Sequence, residues 1–315
     1  MLELGDNIDF EKYLESHEEN KHGQHVRPIN DFLNGALKRL DQGVTLFGDR
    51  MPWDKTTEHF RFRESELTIW AGVNGNGKSL VMGQCALWLA KESPVCIASM
   101  EMPPEATLAR MLRQACGSDR PSRAYGEKLM QYLDKSLFIY NQLGTVSREA
   151  ILGAIHFAAK ERGVKHFMID SLVKCGLGTD DFNGQKQFVD QLSNAAKEHK
   201  IHIHLVVHIR KGKSEKDKPD KFDIKGAGEI TDLADNVLIV SRNLGKEELK
   251  RGGSDYDVDA PDAYIRVVKQ RHGEWEGTWL FWWHEKAQQW LPKRTTMSMP
   301  FPNGLNPLSI HEELR

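Results

Sequence analysis

Glu66-Leu67-Thr68-Ile69-Trp70-Ala71-Gly72-Val73-Asn74-Gly75-Asn76-Gly77-Lys78-Ser79-Leu80, continuing as VMGQCALWLA to residue 90, sets a β-rich apolar run, a glycine-rich turn and a helical pattern in succession. Residues 72–79 fit G-x-x-x-x-G-K-[ST], and the strand before and helix after them are the context a phosphate-binding loop requires. Gly72, Gly75 and Gly77 let the backbone from Asn74 and Asn76 through Leu80 wrap a polyphosphate, and the helix N-terminus adds partial positive charge. In such a loop Lys78 reaches the β and γ phosphates and Ser79 ligates Mg²⁺. The expected substrate is a nucleoside triphosphate, ATP or dTTP or another NTP, with Mg²⁺. The competing reading, a glycine-rich turn that binds nothing, leaves the flanking elements without a reason.

Outward from this loop, PVCIASM, KHFMID, HIHLVVH and NVLIVS are further short apolar runs separated by helical stretches such as QKQFVDQLSNAAKEHK. Strands alternating with helices predict an α/β fold, a mainly parallel central sheet covered by helices on both faces. YIRVVKQRHGEWEGTWLFWWHEKAQQWL, with alternating runs about a glycine turn, predicts a C-terminal antiparallel hairpin at a sheet edge.

Three of these runs end in groups suited to phosphoryl chemistry. Asp170 closes KHFMID, where a carboxylate serves the Mg²⁺ side; alone it could equally be a helix N-cap. Glu101 follows PVCIASM and could orient and deprotonate a water, or be an ordinary first-turn glutamate of the helix begun by PPEATLARML. His208 ends HIHLVVH, where a polar residue can sense the γ-phosphate. His202, His204 and His208 share strand parity, but no nearby carboxylate or cysteine supports a metal reading. Lys269 and Arg271 end the run YIRVV; a strand-end arginine can stabilise phosphoryl charge in a neighbouring subunit or simply be a surface residue.

The 315 residues carry 43 Lys and Arg against 45 Asp and Glu, a formal charge of −2, so binding of nucleic acid by bulk charge is excluded. Any polyanion site is local. The segment 210–225 holds seven basic and four acidic side chains, including Arg210, Lys211, Lys213, Lys216 and Lys218. It is either a solvated loop or one that grips a phosphate backbone. No run is long enough for a membrane span, and the acidic start lacks the pattern of a secretory signal, so a cytoplasmic protein is expected. Cys85, Cys96, Cys116 and Cys175 are scattered and expected to be reduced. The anticipated organisation is a polar extension over 1–26, a helix with one apolar face and a lead-in over 27–59, the α/β unit over 60–292, and a flexible tail over 293–315.

The ordered set GVNGNGKS, SMEM, FMIDS, VVHIRK, DIKGAGEITDLADNVLIVSRN and KQRHGEWEG resembles the hexameric replicative DNA helicases of the DnaB type, most closely the helicase half of primase-helicases of the phage T7 and Twinkle kind. The likeness spans roughly residues 60 to 292. It implies a RecA-like core in a homo-hexameric ring, acting on single-stranded and forked DNA with 5′ to 3′ polarity, and working with a separate primase, loader or polymerase. It further implies that Asp170 is the Walker B aspartate, Glu101 the catalytic glutamate and His208 the γ-phosphate sensor. Lys269 and Arg271 become a pair acting in trans. Lys225, Gly226 and Gly228, with the basic loop, line the channel; Arg242 packs on the base, and His284 lies near the base-stacking position. The helix over 29–42 corresponds to a linker clasping the adjacent subunit. No zinc-ribbon or TOPRIM region and no helical collar is expected, and Glu64-Ser65 replaces the usual Pro-Gly turn. A RecA-like recombinase or a regulatory ring ATPase remains open as an alternative.

Overall fold

The computed structural model describes residues 9, 28–41, 47–178, 181–209, 227–295 and 297–301. The strands are β1 (Leu67–Gly72), β2 (Val95–Ser99), β3 (Leu137–Ile139), β4 (His166–Asp170), β5 (His202–His208), β6 (Asn236–Arg242), β7 (Ala263–Gln270), β8 (Thr278–His284) and β9 (Gln289–Leu291). They form one nine-stranded sheet in the order β3-β2-β4-β5-β1-β6-β7-β8-β9. The six strands from β3 to β6 pair in parallel, whereas β7, β8 and β9 add antiparallel. This is the α/β sheet with an antiparallel C-terminal edge that the alternating runs predict.

The parallel strands read as unbroken apolar runs because both of their faces are covered. Leu67, Ile69 and Ala71 of β1 point into one core with Phe167, Ile203 and Leu205; helices α5 (Arg148–Glu161) and α6 (Phe182–His199) close it with Ile151, Ile155, Phe188 and Leu192. Trp70, Met168, Val206 and Leu238 point the other way, against Val81 and Cys85 of α2 (Lys78–Leu89), Met111 of α3 (Pro104–Cys116) and Leu129 of α4 (Arg123–Leu133). Ser122, Ser147 and Asp181 cap α4, α5 and α6 by accepting hydrogen bonds from Tyr125, Ala150 and Gly184 N–H, which satisfies donors that a helix start leaves open.

The second core reaches back to Met51 and Trp53, ahead of residue 60, and forward to Phe301, which packs edge-on against Trp88. Residues 297–301 are therefore not a free tail: Met299 N–H donates to Gln289 and its carbonyl accepts from the same side chain. An aromatic and a thioether with apolar surface to bury outweigh the proline-rich texture that suggested a tail. Ahead of the sheet, α1 (Leu33–Asp41) follows a 3₁₀ turn over Ile29–Phe32 and exposes Ile29, Phe32, Leu33, Leu37 and Leu40, the apolar face expected from the spacing. Ser65, in place of a glycine, takes a positive φ of 67°. Among the described residues, no helix is long and apolar enough to cross a membrane.

Candidate functional site

The chain enters the sheet at β1, crosses to β2, β3, β4 and β5 on one side, and then returns to β6 on the other. Ligands of open α/β sheets bind at the carboxyl ends of the strands beside such a reversal. A cavity of about 1620 Å³ lies there, lined by Asn74, Gly75, Gly77, Lys78, Ser79 and Leu80 among others. Gly77 precedes α2 at φ 84° and Gly75 sits at φ 83°, a region that costs glycine nothing. Gly72 is required for another reason: a Cβ there would stand 2.5 Å from Val240 O of β6. Asn76 is buried, its N–H bonded to Val73 O at 3.2 Å, and does not line the cavity.

Lys78 Nζ donates to Gly72 O at 2.8 Å and Val73 O at 3.1 Å. Burial pushes its ammonium down to about 8, against the pull of Asp170 and Glu101. Asp170 is pushed up by burial; a hydrogen bond from Ser79 opposes this, and the charge of Glu101 adds to it. Ser79 and Asp170 thus form a small, hard oxygen set in mutual contact, holding a carboxylate whose charge is poorly compensated. That is the donor chemistry Mg²⁺ takes, and the residues fit it.

Glu101, at the end of β2, accepts a hydrogen bond from Ser171 Oγ at 2.9 Å; Ser171 Oγ lies 3.2 Å from His208 Nε2, at the end of β5. Three strand ends are thereby joined in one polar chain. Glu101 is exposed to the cavity and Ser171 fully buried. Arg242, at the end of β6, donates to Gly75 O at 2.9 Å and holds Glu247 of α8 (Leu244–Arg251) through Nε at 2.7 Å and Nη2 at 2.6 Å.

Other expected residues fall elsewhere. His284 does not line the cavity: its Nδ1 accepts from Ala287 N–H at 3.1 Å, whereas Trp283 and Glu285 on either side do line it. Alternation along the strand turns His284 away. Lys269 Nζ donates to Thr231 O and Asp232 O, the last carbonyls of α7 (Ala227–Leu233). Arg271 donates to Asp232 O and pairs with Asp235 at 3.3 Å. Asp235 bonds Leu67 N–H at the start of β1, so this pair sits at the edge of the sheet opposite the phosphate loop, roughly 17 Å of strand away. Of the expected DNA-contacting residues, Arg210, Lys211, Lys213, Lys216, Lys218, Lys225 and Gly226 lie outside the described residues; Gly228 is in the first turn of α7.

Sequence reasoning missed Ser171, although it stands next to Asp170, and Arg110 of α3, which lines the cavity near enough to Asp170 to counter its rise. It also missed Trp290. That ring packs 3.1 Å from where a Cβ of Gly77 would be, while its backbone N–H and carbonyl bond Gln84 of α2 at 2.8 Å and 3.1 Å. The sheet's last strand thus supports the phosphate loop.

Residues 53–290 match the family described as the DnaB-like helicase C terminal domain. Among solved structures, the fold is similar to an ATPase domain solved on its own (TM-score 0.71, 14% identity, 84% of this chain and 99% of that one). It is also similar to a DnaB-like replicative helicase described with its interactions with primase (TM-score 0.66, 15% identity, 84% and 67%).

Proposed function

The chain belongs to the DnaB-like helicase C-terminal domain family, and from that premise we propose that it closes into a hexameric ring, encircles single-stranded DNA and moves 5′ to 3′ to part the duplex at a fork. Membership makes it an NTP-hydrolysing helicase domain. The observation that carries the mechanism is the Glu101–Ser171–His208 chain facing the phosphate loop. Glu101 orients the attacking water and takes its proton, and Ser171 fixes the carboxylate. His208, bonded through Ser171, carries the state of the γ-phosphate to the strand end that leads into the basic segment 210–225. Lys78 neutralises charge on the β and γ phosphates, and Ser79 with Asp170 holds Mg²⁺. The ion, when bound, polarises the phosphoryl oxygens.

Lys269 and Arg271 stand too far from their own cleft to reach it, which supports their serving a neighbour's. The exposed apolar face of α1 supports the same reading, as a segment that docks on the adjacent subunit. Arg210, Lys211, Lys213, Lys216, Lys218, Lys225, Gly226 and Gly228 contact the DNA backbone in this proposal, and a separate primase, loader or polymerase engages the ring.

The test is unwinding of forked duplexes bearing only a 5′ or only a 3′ tail, with Mg²⁺ and each NTP, for wild type and Arg271→Ala. Unwinding that needs the 5′ tail and vanishes in the variant is expected. Hydrolysis indifferent to DNA, without unwinding, would overturn the helicase reading in favour of a regulatory ATPase. Filament formation on DNA without unwinding would overturn it in favour of a recombinase.

A further inference from the structure

Far from the nucleotide cleft, α5 and α6 bring together two imidazoles and a carboxylate. His156 lies midway along α5 and is buried; Glu198 and His199 are the last two residues of α6. One donor atom from each lies within 4.8 Å of the other two. The rings of His156 and His199 meet edge to face, centroids 4.8 Å apart. We propose that His156, Glu198 and His199 form a Zn²⁺ site that clips α5 to α6.

The donor set is the argument for zinc. Two imidazoles and one carboxylate, with water completing a tetrahedron, suit Zn²⁺, whereas Mg²⁺ prefers oxygen alone. A tetrahedral zinc with bonds of about 2.0–2.1 Å holds its donors roughly 3.3 Å apart. Glu198 is exposed and His199 only partly covered, so rotation of these two side chains closes the set onto the fixed His156. The backbone favours a cation at the same point. His199 ends an 18-residue helix, where the aligned peptide dipoles leave partial negative charge.

The site is separate from the catalytic Mg²⁺. Gln185, in the first turn of α6, borders the nucleotide cavity, and His199 lies roughly 21 Å further along the helix axis. Zinc there acts on the helix pair that covers one face of the sheet and touches no group of the hydrolytic machinery. Because both imidazoles must be neutral to ligate, occupancy falls as the pH drops below about 6.5.

The experiment titrates the EDTA-treated full chain with ZnCl₂ by calorimetry at pH 7.5 in excess Mg²⁺, with Co²⁺ absorption reporting coordination geometry. One Zn²⁺ per chain, a raised Tm, and tetrahedral Co²⁺ bands are expected. Loss of an outer partner alone weakens metal binding about 10- to 100-fold, so His199→Ala and Glu198→Gln, which remove ligands, should each weaken it about 100-fold or more. Both variants should keep the Mg²⁺-dependent NTPase rate of wild type. Absence of saturable binding at micromolar Zn²⁺ would overturn the proposal. So would binding that persists in both variants, which would belong to others of the 13 histidines. Should His199→Ala fail to fold, the exposed Glu198→Gln carries the comparison.

Discussion

Lowering the pH from 7 to 5 should destabilise this protein through two histidines that cannot accept a second proton. His202 Nδ1 donates to Arg63 O at 2.6 Å and its Nε2 accepts from Thr68 Oγ1 at 2.8 Å. His204 Nδ1 accepts from Trp70 Nε1 at 3.2 Å, and its Nε2 bonds His166 Nδ1 at 3.1 Å; His166 in turn bonds Asp49 at 2.7 Å. Both rings are fully buried and fully bonded as neutral imidazoles. Burial, with the neighbouring ring of His166, holds His202 down to about 3, and burial with His202 and His166 holds His204 well below its usual value. Unfolded, each titrates near about 6.5. Below that pH the unfolded chain binds more protons than the folded one, so stability falls as pH falls, by about 1.4 kcal/mol per unit per ring. Over pH 7 to 5 this integrates to about 2 kcal/mol for each imidazole and about 4 kcal/mol for the pair, against a typical total of about 5–15 kcal/mol. Asp49, whose carboxyl is lowered, loses its contribution only below about 3.8. Asp170, raised by burial, acts in the opposite sense but is one group against two. Urea unfolding at pH 7, 6 and 5 measures the slope, and His204→Leu should roughly halve it. A stability flat from pH 7 to 5, or a slope unchanged in the variant, would refute the reasoning.

Lys78, held down to about 8 in the free protein, is drawn back to its charged form by phosphates. NTP affinity should therefore fall roughly tenfold per pH unit above about 8 with uptake of one proton, measurable by calorimetry in buffers of different ionisation enthalpy. Glu101→Gln should lower NTP turnover about 10²–10⁴-fold with NTP binding intact. Ser171→Ala, which removes one hydrogen bond to that carboxylate, should lower kcat by about tenfold at unchanged KM. Gly72→Ala drives a methyl against the β6 backbone, and should cost about 1–3 kcal/mol by chemical denaturation and weaken NTP binding.

The parallel sheet and the phosphate loop were legible because both are written locally. Runs such as Leu67–Gly72 and His202–His208 are apolar throughout when both faces are buried, and the loop needs only eight consecutive residues. The same locality hid other parts. The Gln84 and Trp290 bonds span 206 positions and leave no periodic trace. Strand β3 is three residues long and too short to show a pattern. His284 was misplaced because one step along a strand exchanges the two faces, and nothing near it in sequence marks which residue of Trp283-His284-Glu285 turns inward. Phe301 and Trp53 belong to the core although their surroundings read as tail and lead-in.

Arg271 and the phosphate loop occupy opposite edges of one sheet, and that separation governs how copies of the chain can associate. Where each cleft is completed by the Arg271 of another copy, the contact joins two unlike surfaces and cannot be reciprocal. Two subunits related by a dyad could not share it. A linear array of n subunits has n − 1 completed clefts and one terminal cleft without an arginine; joining its ends completes all n. Closure therefore raises activity per subunit most in the smallest rings, and a nick in the circle silences one cleft wherever it falls.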